Sequence, residues 1–292
     1  MGRPLFLVGG FLLHALGAAL AVQAGARFDA AVYVAGQVAI TAVQWMTHYA
    51  NEYFDVAADR ANRTPTPWSG GSRVLVSGEL PPRLALATAL ALASLALLAT
   101  LALAVVCRQG AGAALILLAL GWAWSYSGPP LWLERNGLGE LTVALLVPGL
   151  TPLVGYALQS GSAGGMPWEA VAPLCAFQFA MSLSINFPDA EGDRAVGKQT
   201  LLLRIGAWNA ARLYVAAVII GYALLALAAS RQPAAGLLTA PLGLWLCARM
   251  ARGDWHAAEQ WESLTFWSIA MHVGAMALQT AAVVLRALAW MP

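Results

Sequence analysis

The sequence predicts an all-α polytopic membrane protein, with nine transmembrane helices around a central cavity and a cytoplasmic cap formed by two long loops. Three observations carry that prediction. Hydrophobic residues make up 60% of the 292 positions and charged residues only 10%, and the mean hydropathy is positive. That leaves too little polar surface to coat a globule in water, so lipid is the main solvent. Apolar stretches of roughly 18 to 25 residues recur from end to end, each long enough as a helix to cross a hydrocarbon core about 30 Å thick. The cations, finally, are divided unevenly between the two sets of connecting loops.

Taken in order, the first span runs from Pro4 to Val22, behind Arg3. The small residues Ala24-Gly25-Ala26 also permit a cleaved signal peptide, which would leave eight spans and invert the loop assignment. The second span, Ala30 to Ala50, ends at a long polar connection, Asn51 to Arg83. Leu84 to Val106, Ala111 to Ser127 and Gly139 to Ala157 follow with short connections. Trp168 to Phe187 ends at Pro188, which lacks the N–H of a continuous helix and is expected to kink or end it. A second long polar connection, Phe187 to Asn209, precedes Ala210 to Ala229, Ala234 to Met250 and Ser263 to Ala289.

With the amino terminus inside, the inner loops hold Arg3, Arg60, Arg63, Arg73, Arg83, Arg135, Arg194, Lys198, Arg204, Arg212, Arg249 and Arg252. The outer side holds Arg27, Arg108, Arg231 and Arg286, so the positive-inside rule sets the orientation and puts the carboxyl terminus outside. The expected location is a bacterial inner membrane with the functional face toward the cytoplasm. A net charge of +2 gives no reason to expect a nucleic-acid partner. Cys107, Cys175 and Cys247 are scattered singly, without metal or disulfide spacing.

Four of the six aspartates, Asp55, Asp59, Asp189 and Asp193, sit where the two long loops begin. Aligned, the sites read Asp55-x-x-x-Asp59-Arg60-Ala61 and Asp189-x-x-x-Asp193-Arg194-Ala195, with Asn51 and Asn186 just ahead and a period of 134 residues. Such a repeat suggests one transmembrane domain over residues 1–292, built from halves of about 1–135 and 136–292 around a shared cavity. Helical residues four apart share a stripe, so Asn51, Asp55 and Asp59 can converge their oxygens. A helix restarting at Pro188 would still align Asp189 with Asp193. These are hard ligands of the kind Mg²⁺ takes, one or two carboxylates at a time beside water and phosphate oxygens. A diphosphate would be repelled by four aspartates unless metal ions bridged them. Arg60, Arg63, Arg73, Arg194, Lys198 and Arg204 are candidates to neutralise its charge, led by Lys198, the sole lysine, and Arg63.

Blander readings stand beside these. Asp and Arg after a span can be solvated, topology-setting charges, and Gly70, Gly71 and Gly78 plain turn residues. His48 is either a base or a hydrogen-bonding group within the bundle. A phosphate-binding loop is excluded, because the lysine and hydroxyl spacing is absent.

The segments Asn51-Glu-Tyr-Phe-Asp55-Val-Ala-Ala-Asp59, Ser69-Gly-Gly-Ser-Arg-Val-Leu-Val-Ser-Gly78 and Asn186-Phe-Pro-Asp189-Ala-Glu-Gly-Asp193-Arg-Ala-Val-Gly-Lys198-Gln-Thr-Leu resemble the signatures of the UbiA prenyltransferase superfamily. The resemblance implies a Mg²⁺-dependent transfer from a polyprenyl diphosphate to an aromatic acceptor. It implies that Asn51, Asp55, Asp59, Asp189 and Asp193 hold Mg²⁺ and the diphosphate, with the tail in a groove open to lipid. Asn186, Arg63, Arg73, Arg194 and Lys198 are further candidates to bind substrate. Tyr126-Ser-Gly-Pro-Pro130 followed by Gly137-Leu-Gly-Glu140-Leu is similar to the branch acting on 1,4-dihydroxy-2-naphthoate in menaquinone synthesis. The hydroxybenzoate branch more typically has a lysine soon after that tyrosine, where Leu131 and Trp132 stand here. Among Phe54, Trp124, Tyr126 and Phe187, Tyr126 is the first choice to shelter an allylic cation by cation-π attraction. An ion-coupled transporter is the competing class, since intramembrane carboxylates can mark ion pathways, and a structural subunit is a third. Transporter sites lie near the midplane, whereas these aspartates fall at span ends.

Overall fold

The computed structural model describes residues 4–289, so Arg3, counted above among the inner cations, lies outside the described residues. Among these the fold is entirely helical. The helices are α1 (Pro4–Gln23), α2 (Ala30–Phe54), α3 (Val56–Ala61), α4 (Pro82–Val105), α5 (Gly110–Ser127), α6 (Gly139–Leu145) and α7 (Thr151–Ser160). They continue with α8 (Ala172–Ala195), α9 (Leu201–Ile205), α10 (Ala207–Ala228), α11 (Ala240–Arg252) and α12 (Ala258–Leu288). A π-helical turn over Leu146–Leu150, containing Pro148, joins α6 to α7 in one rod.

Seven of the expected spans are long and apolar enough to cross a bilayer. The other two stretches, in α2 and α11, are helical but do not meet that standard. α2 carries Gln37, Gln44, His48, Asn51 and Glu52 among its 25 residues. α11 has 13 residues and covers about 20 Å. Lipid-facing positions hold aliphatic side chains left exposed, such as Leu98, Ile219 and Leu227.

Small residues let the rods approach. A β-carbon on Gly17 would strike the Pro152 carbonyl, so α1 and α7 touch backbone to backbone there. A β-carbon on Gly192 would lie 2.9 Å from the Ala58 carbonyl, where α8 crosses α3. Asp29 caps α2 by accepting from the Val32 amide at 3.0 Å, and Gln159 at the end of α7 accepts from the Asp29 amide at 2.7 Å.

Of the two outcomes expected at Pro188, a kink or an end, the helix end does not occur. α8 stays helical to Ala195. Proline removes the amide that would have bonded the Ser184 carbonyl, and the buried Thr265 hydroxyl of α12 donates to that oxygen at 3.2 Å instead. Asp189 and Asp193 therefore ride on an unbroken rod. Thr265→Val should leave this carbonyl without a partner and cost about 1–3 kcal/mol, read as a lower unfolding temperature in detergent.

Arg249, counted from sequence among the topology-setting charges, is buried. Its guanidinium donates to Asp254 at 2.8 Å, Ser263 at 2.9 Å and Gln260 at 2.6 Å, and stacks over Trp245. It clamps α11 to the start of α12.

Candidate active site

One cavity of about 360 Å³ is lined by residues from both acidic segments: Asp55 and Asp59 from the first, Asp189 and Asp193 from the second. The helix bends at Asp55, which ends α2 and begins α3. The backbone bonds still run four residues back, from the Asp55 amide to Asn51 and from the Asp59 amide to Asp55, at 2.8 and 2.9 Å. The helical phase is kept, and Asn51, Asp55 and Asp59 all face the cavity.

Two side chains tie the segments together. Asn62 donates to Asp189 at 2.8 Å. Lys198 lies 2.7 Å from Asp55, 3.2 Å from Asp193 and 3.4 Å from Glu134. Its return to the cavity follows from the local sequence. Gly197, with φ of 75°, adopts the left-handed turn that ends α8, and the Lys198 amide bonds back to the Asp193 carbonyl at 3.0 Å.

Asn51 donates from its amide nitrogen to Asp55 and Ser127 at 3.0 Å and to Glu134 at 3.2 Å, leaving its carbonyl oxygen as the atom a metal could use. Asn186 donates in the same way to Glu140 at 2.7 Å. Tyr126 lines the cavity near Glu134, Asp55 and Lys198. Phe54 packs instead with Trp124 and Trp132, and Phe187 with Trp255, away from the lining.

The loop after α3 folds over the mouth. Glu52 accepts from the Ser72 amide and hydroxyl at 2.8 and 2.6 Å. Gly71, at φ of 68°, comes so close to the Asp59 carboxylate that a β-carbon would collide with it. Gly71→Ala should displace the loop or Asp59 and destabilise the protein by about 1 kcal/mol or more, with a fall in Mg²⁺ affinity measured by titration.

Not every cation expected at the site reaches it. Arg63 and Arg194 are exposed and do not line the cavity, because each follows an inward-facing residue, Asn62 or Asp193, and so points to another side. Arg73, at φ of 65°, turns its guanidinium onto the Asp59 backbone carbonyl. Glu134 is the principal residue that sequence reasoning missed. It sits in the loop between α5 and α6, held by its amide bond to the Tyr126 carbonyl at 3.0 Å. Beside Arg135 it reads as a solvated loop charge, and only its position between the two acidic segments shows otherwise.

Seven carboxylates line the cavity (Glu52, Asp55, Asp59, Glu134, Glu140, Asp189, Asp193), while Lys198 is the lone lysine or arginine among the lining residues. Burial, then the charges of Asp55, Asp189 and Glu52, push the Asp59 carboxyl up to about 7, against the opposing pull of Lys198. Burial and Asp55 hold Glu134 well above the usual carboxylate range. Burial depresses Lys198, but Glu134, Asp55 and Asp193 outweigh it and keep the ammonium well above the ordinary lysine value. Such an excess of hard, desolvated anionic oxygens suits a divalent cation. Among the described residues no three His, Cys, Asp or Glu side chains converge tightly enough to enclose an ion alone.

A carboxyl raised in the folded state favours folding while protonated, and that advantage is lost as pH climbs through its folded value. The metal-free protein should therefore lose stability between about pH 4 and 7. Mg²⁺ should bind more weakly below pH 7 and release a proton on binding near neutrality, measurable by calorimetry in two buffers.

The solved structures similar to this chain share the architecture. A UbiA homologue from Aeropyrum pernix K1 matches with a TM-score of 0.75 at 18% identity, over 98% of this chain and 99% of that one. A digeranylgeranylglyceryl phosphate synthase matches with a TM-score of 0.63 at 16% identity, over 96% and 93%. A UbiA homologue from Archaeoglobus fulgidus, bound to GPP and Mg²⁺, matches with a TM-score of 0.58 at 16% identity, over 95% and 96%. No curated protein matches the sequence. The UbiA prenyltransferase family matches over residues 11–270, which span both acidic segments and the bundle between them; the chain belongs to that family.

Proposed function

We propose that the protein transfers a polyprenyl group from a polyprenyl diphosphate to an aromatic acceptor, with 1,4-dihydroxy-2-naphthoate, on the route to menaquinone, as the leading candidate. The observation that carries this reading is the meeting of Asp55, Asp59, Asp189 and Asp193 at one cavity whose wall also includes aliphatic side chains. The prenyl diphosphate and Mg²⁺ bound by a structural relative support it.

Asp55, Asp59, Asp189 and Asp193, with the Asn51 carbonyl oxygen, would hold Mg²⁺, whose Lewis acidity draws electrons onto the leaving diphosphate. Lys198 stays protonated and offers a cation beside Asp55 and Asp193 for the charge that builds on the departing oxygens. Asn186 keeps Glu140 in place beside the second segment. The bond from donor carbon to oxygen breaks with its electron pair on the diphosphate; the electron-rich ring attacks the resulting allylic cation and regains aromaticity by losing its carboxyl group as carbon dioxide or, on an acceptor that keeps the carboxyl, a proton to solvent. Tyr126 gives that cation an aromatic face. Ile40, Val43, Ile116 and Val154 provide the aliphatic surface for the tail. The two pseudo-repeat halves, about 1–135 and 136–292, each contribute one acidic segment.

Arg63 and Arg194, exposed beside the cavity-lining Asn62 and Asp193, act by long-range attraction of the diphosphate. Arg63→Ala and Arg194→Ala should lower kcat/KM no more than about fivefold, with the difference vanishing at high salt. Ten of the twelve cations assigned to the inner side remain when the buried Lys198 and Arg249 are set aside. They support an active site facing the cytoplasm; a bacterial inner membrane is the proposed location.

The test is incubation of purified protein with Mg²⁺, a series of polyprenyl diphosphates and a panel of acceptors, read by mass spectrometry. The panel should include hydroxybenzoate and, because a digeranylgeranylglyceryl phosphate synthase shares the fold, a glycerol-phosphate acceptor. Coupling with loss of carbon dioxide supports the naphthoate; prenylation of only the other acceptors replaces it.

A further inference from the structure

Deeper in the cavity lie polar side chains that the acidic mouth does not use. His272 on α12 lines the cavity at 2% exposure, and among the described residues neither ring nitrogen has a hydrogen-bond partner. Gln44 on α2 lines the same space, and its buried amide oxygen is also without a partner. Gly10 makes room for it, since a β-carbon there would collide with the Gln44 side chain. Gln178 on α8 also lines this cavity and donates to Ser182 at 3.4 Å.

Polar groups buried without partners carry a desolvation penalty that hydrocarbon cannot offset. An isoprenoid tail offers them nothing, and other lining residues already provide an aliphatic surface for it. Gln44 precedes Asn51 by seven residues and Gln178 precedes Asn186 by eight, so both lie about 10 to 12 Å along their helices from the acidic mouth, and His272 lies seven residues along α12 from Thr265, which bonds Ser184 near that mouth. The acceptor carbon must meet the donor carbon just below the diphosphate, which directs the far edge of the acceptor toward this depth. We infer that His272, with Gln44 and Gln178, forms a hydrogen-bonding subsite for a ring oxygen of the acceptor, an inference that rests on the aromatic-acceptor reading above.

The experiment compares His272→Phe, which keeps an aromatic ring without hydrogen bonds, with His272→Gln, which keeps a donor and an acceptor. The expected result is a rise of about tenfold in acceptor KM for His272→Phe, largely recovered in His272→Gln. The prenyl diphosphate KM should stay within about twofold, and geranyl diphosphate binding with Mg²⁺, measured by calorimetry, should not change. An unchanged acceptor KM overturns the inference. So does a shift in donor KM or preferred tail length, which would make the patch a tail surface, or an equal loss of donor binding and unfolding temperature in both variants, which would make His272 structural. The wild-type protein run on the same acceptor panel separates the two readings. If it prenylates no aromatic compound the proposed function fails, whereas aromatic turnover with indifferent variants sinks only the subsite.

Discussion

Asp55→Asn is expected to lower prenyl transfer by about 100- to 1000-fold while the protein remains folded in detergent. Asp55 ends α2, faces the cavity, and lies 2.7 Å from Lys198 and 3.0 Å from the Asn51 amide. An amide of nearly the same shape keeps the packing and removes one formal charge from the oxygens available to Mg²⁺. The loss should therefore fall on metal-dependent turnover. Asp189→Asn, from the other segment, should behave alike, and the double variant should lose little more than either single one, because residues that act as a unit are not additive. Turnover with candidate acceptors, beside circular dichroism and unfolding temperature, reads both properties. Full activity in either single variant contradicts the assignment.

Lys198→Met is expected to do still wider damage. Lys198 is 5% exposed and within 3.4 Å of three carboxylates. Removing one partner from a buried charged cluster costs about 3–5 kcal/mol, because uncompensated charge stays behind. Without metal, the variant should unfold at a markedly lower temperature and take up protons at the site. Added Mg²⁺ should restore part of the stability, since a divalent cation supplies the missing charge, but turnover should stay at least about tenfold down. Lys198→Arg should not rescue fully, as the planar guanidinium cannot place its charge as a compact ammonium does. Equal stability of Lys198→Met and wild type without Mg²⁺ would remove the cluster from the account.

Much of this site was legible in the sequence because its chemistry is carried by residue types rare in the chain. Four aspartates and one lysine stand out against apolar helices, and the period of 134 residues pairs them. Features that depend on contacts between distant segments were not legible. Pro188 reads as a helix breaker, and only Thr265, 77 positions on in sequence, shows how the rod continues. Glu134 and Arg249 read as loop or topology charges, yet both are buried, the first beside Lys198 and the second in a fork of hydrogen bonds. Arg63 and Arg194 carry the right charge for a diphosphate but sit one residue out of phase with the cavity. Helical phase is local, but which face meets the cavity is decided by packing. α2 shows the same limit: its polar stripe lowers its apolarity below that of a typical span because that stripe faces the cavity rather than lipid.

The most direct test of the shared metal site is anomalous scattering from Mn²⁺ in crystals grown with a non-hydrolysable prenyl diphosphate analogue. The expected result is metal about 2 Å from carboxylate oxygens of both Asp55-Asp59 and Asp189-Asp193, with the analogue's phosphates completing the shell. Metal held by only one of the two pairs, or a diphosphate seated elsewhere in the molecule, would contradict it.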